Sequence, residues 1–315
     1  MKIFLAGATG AVGRTLTPLL IERGHTVVGT TRSPAKAGDL RALGAEPVVL
    51  DGLDRDAVIA AVAAAAPDAI VHQMTALAGD LDLRRFEKSF AQTNRLRTEG
   101  TDHLLEAARR SGVERVIAQS YAGWPAARTG GPVKTEDDPL DPDPPKQVRT
   151  TLAAILHLEA AVTAHGGVAL RYGGFYGPGT GLAPGGDQWE MVRRRKFPVV
   201  GDGGGVWSFC HVEDAAGATL AALERWTPGE IYNVCDDEPA PVREWLPVLA
   251  EAVGAKPPRR IPRWLARPLG EHMVAMMCEI RGASNAKAKT ALRWQPKWPT
   301  WRDGFAALTA TSGDR

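Results

Sequence analysis

The sequence predicts an α/β fold, a doubly wound parallel sheet followed by a smaller C-terminal domain. Three observations carry that expectation: the opening MKIFLAGATGAVG sets a strand against three spaced glycines, apolar strand runs alternate with helical stretches through the first half, and elements shorten as prolines accumulate after about residue 172. At 315 residues with 44% hydrophobic side chains, the chain has material for a sizeable core.

Lys2 to Ala6 reads as a buried strand, and an amphipathic helix follows to about Arg23. Between them, Gly7 permits a tight turn, Gly10 a close approach of backbone N–H groups to phosphates, and Gly13 close helix–strand packing. The helix N-terminus then faces an anion. A second strand follows at 25–30, so strand, triplet, helix and strand stand in the order of a dinucleotide site. That strand ends in Thr30-Thr31-Arg32-Ser33, with Lys36 one turn on. An acid there would bind a ribose 2′-hydroxyl; an arginine pairs with a 2′-phosphate, so the expected cofactor is NADP (NADPH) in preference to NAD.

Further strands are expected at 46–50, 69–72 and 114–119, with helices between them; Ser33-Pro34 opens the second helix and Ala66-Pro67-Asp68 closes the third. Right-handed crossovers leave the carboxyl ends of the strands on one edge, where ligands bind. After Ser120 the rhythm breaks into a segment dense in proline, glycine and acids, GWPAARTGGPVKTEDDPLDPDPP. A helix at 146–165 and a strand at 168–171 return the chain to the sheet, so this segment is read as a loop over the active site. The expected division is 1–171 for the cofactor domain and 172–315 for the substrate-binding domain, with about 211–234 returning to the core. Seven of nine tryptophans lie beyond residue 200, and Trp207 among them is a candidate pocket residue.

A net charge of +2 from 38 basic and 36 acidic residues gives no footprint for nucleic acid, and Arg193-Arg194-Arg195-Lys196 reads as a solvated helix end. Cys210, Cys235 and Cys278 lack metal or disulfide spacing, which points to buried small side chains in a reducing, cytoplasmic compartment and to no metal. No signal peptide is expected ahead of the first strand, and no apolar run approaches the ~18 residues of a membrane span. The expected partner is a small-molecule substrate, not nucleic acid or membrane.

With these segments assembled, the chain resembles the extended, or atypical extended, short-chain dehydrogenase/reductase superfamily in its NAD-dependent epimerase/dehydratase branch. The resemblance spans nearly the whole chain. Its GxxGxxG appears as Gly7, Gly10 and Gly13, its acid after the third strand as Asp51, and its fourth-strand segment as Val71-His72-Gln73-Met74-Thr75. Strand five ends in Ser120; LRYGGFYGPGT (170–180), SFCHVEDAA (208–216) and SNAKAKTALRWQP (284–296) match later family segments. The resemblance implies a Rossmann-type fold and cofactor contacts from Gly7, Thr9, Gly10, Ala11, Val12, Gly13, Thr31, Arg32, Asp51, Gly52, Leu53, Gln73, Met74, Thr75, Asn94, Ser120, Tyr172 and Gly173. It also implies a homodimer built on helices at about 84–111 and 146–165.

The departures fall at the chemistry. In the family's YxxxK, lysine lowers the phenol pKa so that tyrosine passes a proton near neutral pH. Aligning Glu159 with the family's glutamate puts Thr151 at the tyrosine and Ile155 at the lysine. Neither transfers a proton. Trp207 stands where nucleotide-sugar enzymes carry an arginine for the substrate diphosphate, so an apolar or aromatic small molecule fits better. Arg97 takes the family's asparagine position, with Asn94 one turn earlier as a substitute. The expected catalytic residues are Ser120, gripping the reacting oxygen, and Tyr121 or Tyr172 as acid; Tyr176, His157, Lys134 and Lys146 are further options, and His211 is read as structural. The reading is an NADP-dependent oxidoreductase acting on a small apolar or aromatic carbonyl or alcohol. An NmrA-like cofactor-binding sensor, and an epimerase or dehydratase using bound cofactor transiently, remain alternatives.

Overall fold

The computed structural model describes residues 1–77 and 85–310. Seven parallel strands form the central sheet: β1 (Lys2–Ala6), β2 (Thr26–Thr31), β3 (Glu46–Val49), β4 (Ala69–His72), β5 (Arg115–Tyr121), β6 (Val168–Tyr172) and β7 (Ile231–Val234). Their spatial order is β7-β6-β5-β4-β1-β2-β3. β4 and β6 are buried along their whole length, which is why they read as apolar runs without alternation, interrupted only by His72 and Arg171 near their carboxyl ends.

Nine helices position the site: α1 (Ala11–Glu22), α2 (Ala37–Ala42), α3 (Arg55–Ala65), α4 (Phe86–Arg95), α5 (Thr101–Ser111), α6 (Arg149–Ala164), α7 (Asp187–Arg193), α8 (Val212–Glu224) and α9 (Val242–Ala252). On one face of the sheet α1 packs against α8, sealing Leu16, Leu20, Tyr172 and Leu223. On the other, α3 packs against α5, with Val58, Val62 and Leu104 at the contact and Leu158 of α6 alongside. The chain leaves β1 for β2 and later returns on the opposite side as β4. That reversal opens a crevice at the carboxyl ends of β1 and β4.

Two expectations about elements change. The helix expected over 84–111 is two helices joined by a π-helical turn, Leu96–Gly100, and its first residue lies outside the described residues. β5 runs two residues past 119, because Ser120 and Tyr121 pair with Arg171 and Tyr172. The proline-rich segment after it is anchored to the C-terminal part of the chain. Val133–Lys134 pairs with Gly282–Ala283, and Arg128 reaches Asp141 at 2.7 Å and Glu279 at 2.6 Å.

Residues 212–234 add α8 and the edge strand β7 to the central layer. The remaining C-terminal segments close around a separate aromatic cluster of Tyr176, Trp189, Phe209, Trp245, Trp301 and Phe305. Trp264, by contrast, is exposed. All three cysteines are free and buried. No helix among the described residues is long and apolar enough to cross a membrane.

Candidate functional site

A cleft of about 420 Å³ runs along the carboxyl edge of the sheet, from Arg32 and Lys36 at one end to Trp207 and Met276 at the other. Its floor is the β1–α1 turn. Gly7 sits at φ +92°, where a Cβ would lie 2.8 Å from the Gln73 carbonyl, and a Cβ on Gly13 would lie 2.4 Å from the Gly7 oxygen. Glycine is therefore required at both positions by backbone approach. Gly10 opens α1 without a side-chain cap, leaving first-turn N–H groups for an anion in the cleft. This cradle fits a dinucleotide pyrophosphate.

At the end of β2, the Thr30 hydroxyl accepts from Gly7 N (3.0 Å) and that of Thr31 from Ser33 N (3.2 Å). Arg32 and Lys36 are exposed at the cleft edge. Of the expected cofactor residues, Asp51, Leu53 and Asn94 do not line the cleft. Asp51 instead folds back on its own loop, accepting from Leu53 N at 3.0 Å, while Gly52 lines the cleft as expected and Leu50 joins it. Asn94 lies behind the wall and donates to the Thr151 hydroxyl at 3.1 Å.

The expected catalytic residues fare differently. Ser120 is buried and donates to Glu159 Oε1 at 2.6 Å, while Arg171 grips both Glu159 oxygens at 2.7 and 2.8 Å. Its proton is thereby committed to a carboxylate, which corrects its assignment as donor to a reacting oxygen. Tyr172 is corrected as well. Its ring borders the cleft, but its fully buried hydroxyl is tied to Thr219 Oγ1 (2.6 Å) and receives Gln73 Nε2 (3.3 Å); burial holds the phenol well above its ordinary pKa. Tyr121 does line the cleft, yet burial pushes its phenol up to about 12, against a smaller opposing pull from Arg97.

Thr151 lines the cleft, and Ile155 is buried in the apolar cluster behind it. Tyr176, His157, Lys134 and Lys146 are not part of the lining. His211 caps α8, accepting from Glu213 N at 3.2 Å, and burial lowers its imidazole to about 4. Arg193 and Arg194 pair with Glu190 at the end of α7.

Sequence reasoning missed an aromatic wall. Phe86 and Phe90 stack at 4.4 Å, and Trp124 meets Phe86 edge-on at 6.0 Å. The i, i+4 pair on one helix was the available signal. Trp207 completes the far end, its indole N–H on the Met276 carbonyl at 2.8 Å and its ring 4.9 Å from Trp245. No cation replaces the diphosphate-binding arginine at that position. Among the described residues, no cluster of side chains is arranged to hold a metal ion.

The model of the NAD dependent epimerase/dehydratase family matches residues 3–235. The chain belongs to that family. As a family member it is similar to a 3-diazoavenalumate denitrifying reductase from a Streptomyces species, 46% identical over 97% of this chain and 99% of the relative. It is also similar to a 2-alkyl-3-oxoalkanoate reductase from Stenotrophomonas maltophilia, 31% identical over 81% of this chain and 76% of the relative. Among solved structures, the UDP-glucose 4-epimerase of Thermotoga maritima has the same fold, with a TM-score of 0.77 at 21% identity over 99% of both chains. This family member is an oxidoreductase, and its similarity to named reductases supports a reductase within the family.

Proposed function

We propose that this protein is an NADPH-dependent reductase that removes the diazo group of an aromatic substrate as dinitrogen. The observation that carries the reading is that the family's proton-transfer positions hold no group free to give a proton, while Tyr121, in the lining, is held by burial at about 12. Threonine and isoleucine stand at the tyrosine and lysine positions, Ser120 gives its proton to Glu159, and the Tyr172 hydroxyl is bound behind the cleft. Reduction of a carbonyl needs a proton on oxygen as well as a hydride. When bound, the reduced nicotinamide supplies a hydride equivalent, and the balance of an aryl diazonium with NADPH to give the arene, dinitrogen and NADP⁺ takes up no proton.

The residues around the cleft suit that task. The Gly7–Gly13 cradle would hold the pyrophosphate, Arg32 and Lys36 a 2′-phosphate, and Gln73, Met74, Thr75 and Gly173 the nicotinamide half. Phe86, Phe90 and Trp124 give a planar ring flat contacts and exclude water. The relative named for diazo chemistry, at 46% identity over almost the full length, supports the same substrate class. The test supplies NADPH and NADH with aryl diazonium salts and with a panel of aldehydes and ketones, following nicotinamide absorbance. Oxidation of NADPH by diazo compounds alone supports the reading; turnover confined to carbonyls overturns it.

A further inference from the structure

Arg97 lies in the π-helical turn that interrupts the long helical segment after β4. Such widened turns are frequent at functional sites. The side chain is 5% exposed and lines the cleft, and its Nη1 atom is fully buried with no hydrogen-bond partner among the described residues. A guanidinium stays protonated at any working pH, and burying one unpaired is costly. Burial pushes Arg97 down only to about 10, with Tyr121 and Glu159 pulling the other way. Glu159 is no free partner, since Arg171 and Ser120 already occupy its oxygens.

The anionic parts of a dinucleotide have their own places in the cleft. The pyrophosphate cradle is at β1–α1, and the exposed cations lie beyond β2. Arg97 is on the other side, facing Tyr121 at the end of β5, with β4 between β5 and β1. The same lining holds Tyr121, Trp124, Phe86 and Thr151, and the π-helical turn packs against α6, which carries Thr151. We infer that Arg97 is the anion-recognition residue of the substrate subsite, where its guanidinium takes an oxyanion, carboxylate or phenolate, carried by an aromatic substrate seated against Phe86 and Trp124. The inference rests on this cleft being the reductase's substrate site, not on which group is reduced. It also bears on the diazo reading: an aryl diazonium with no anion of its own would meet Arg97 as a like charge, whereas an oxyanion on the same molecule makes the pair attractive.

The experiment is a tryptophan-fluorescence titration, with and without NADP⁺, using cinnamate as carboxylate, 4-nitrophenol above its pKa as phenolate, and methyl cinnamate as neutral control. Parent, Arg97→Met and Arg97→Lys are compared. The expected result is that Arg97→Met weakens at least one anion by about tenfold to a hundredfold and leaves methyl cinnamate within about twofold. Arg97→Lys recovers part of the loss. The anion that responds tells carboxylate from phenolate. Equal weakening of all three probes, no weakening of any, or a parent that does not bind anions better than methyl cinnamate overturns the inference; the last comparison needs no variant and decides the matter even if both substitutions fail to fold. Anion preference without turnover of diazo compounds would sink the proposed reaction and leave Arg97's role standing.

Discussion

Ser120 gives its hydroxyl proton to Glu159 at 2.6 Å, and Glu159 is held in turn by Arg171 Nε and Nη2. A serine at the end of the fifth strand, where the family places a hydroxyl for the reacting oxygen, is thus part of a buried ion-pair scaffold. Two consequences separate scaffold from acid. Ser120→Ala should lower kcat/KM by less than about tenfold, where loss of a true general acid costs about a hundredfold or more. Glu159→Ala should destabilise the fold by about 3–5 kcal/mol in chemical denaturation, because it strands the buried Arg171. A drop of a hundredfold in Ser120→Ala, with stability intact, would return the serine to the chemistry.

Arg32 and Lys36 flank the cleft where β2 ends without an acid. Arg32→Ala should therefore weaken NADPH by about tenfold to a hundredfold and leave NADH nearly unchanged, the loss expected for a charge-assisted hydrogen bond to a 2′-phosphate. Isothermal titration of both cofactors reads this directly. Equal losses would remove the 2′-phosphate assignment.

Asp236 is 2% exposed, and burial pushes its pKa to about 8 from an ordinary 3.8, against smaller opposing contributions from the backbone of Glu238, Phe209 and Trp301. Its native state holds a proton that the unfolded chain has already released, so this group's contribution to stability falls as pH rises from about 4 to about 8 and is lowest above that. His72 and His211, lowered to about 4 by burial, act in the opposite sense, but only below the ordinary histidine value of 6.5. Asp214, raised to about 6, adds to the fall only up to about pH 7. Between about pH 7 and 8 the Asp236 effect stands clear. Asp236→Asn should flatten the fall in Tm over that interval and raise stability near pH 8 by at least about 1 kcal/mol. A variant whose Tm tracks the parent's across the interval would show that Asp236 is ionised throughout.

How much of this was legible in the sequence follows from the range of the forces involved. β1 and β4 match their expected bounds because buried strands write their pattern locally, and the glycine cradle is legible because its three glycines stand at fixed short spacing between a strand and a helix, although the backbone that excludes a Cβ at Gly7 is that of distant Gln73. Hydroxyl partners were not legible. Ser120 meets Glu159 across 39 positions and Tyr172 meets Thr219 across 47, so no spacing rule reports where either proton goes. Asp51 was misplaced for the opposite reason, a bond only two residues long that turns it into its own loop. Arg97 stood out as a departure from the family pattern, but its burial depends on a π-helical turn that breaks the 3.6-residue period on which such readings rest.

The central claim is a reduction that needs a hydride and no proton from the protein, and one measurement meets it squarely: purified protein is mixed with NADPH and an aryl diazonium salt, and NADPH loss, arene formation and evolved dinitrogen are quantified together. The account predicts equal amounts of all three, at a rate that survives Tyr121→Phe and Tyr172→Phe. Dinitrogen release without NADPH oxidation, or turnover that either tyrosine substitution abolishes, would contradict it.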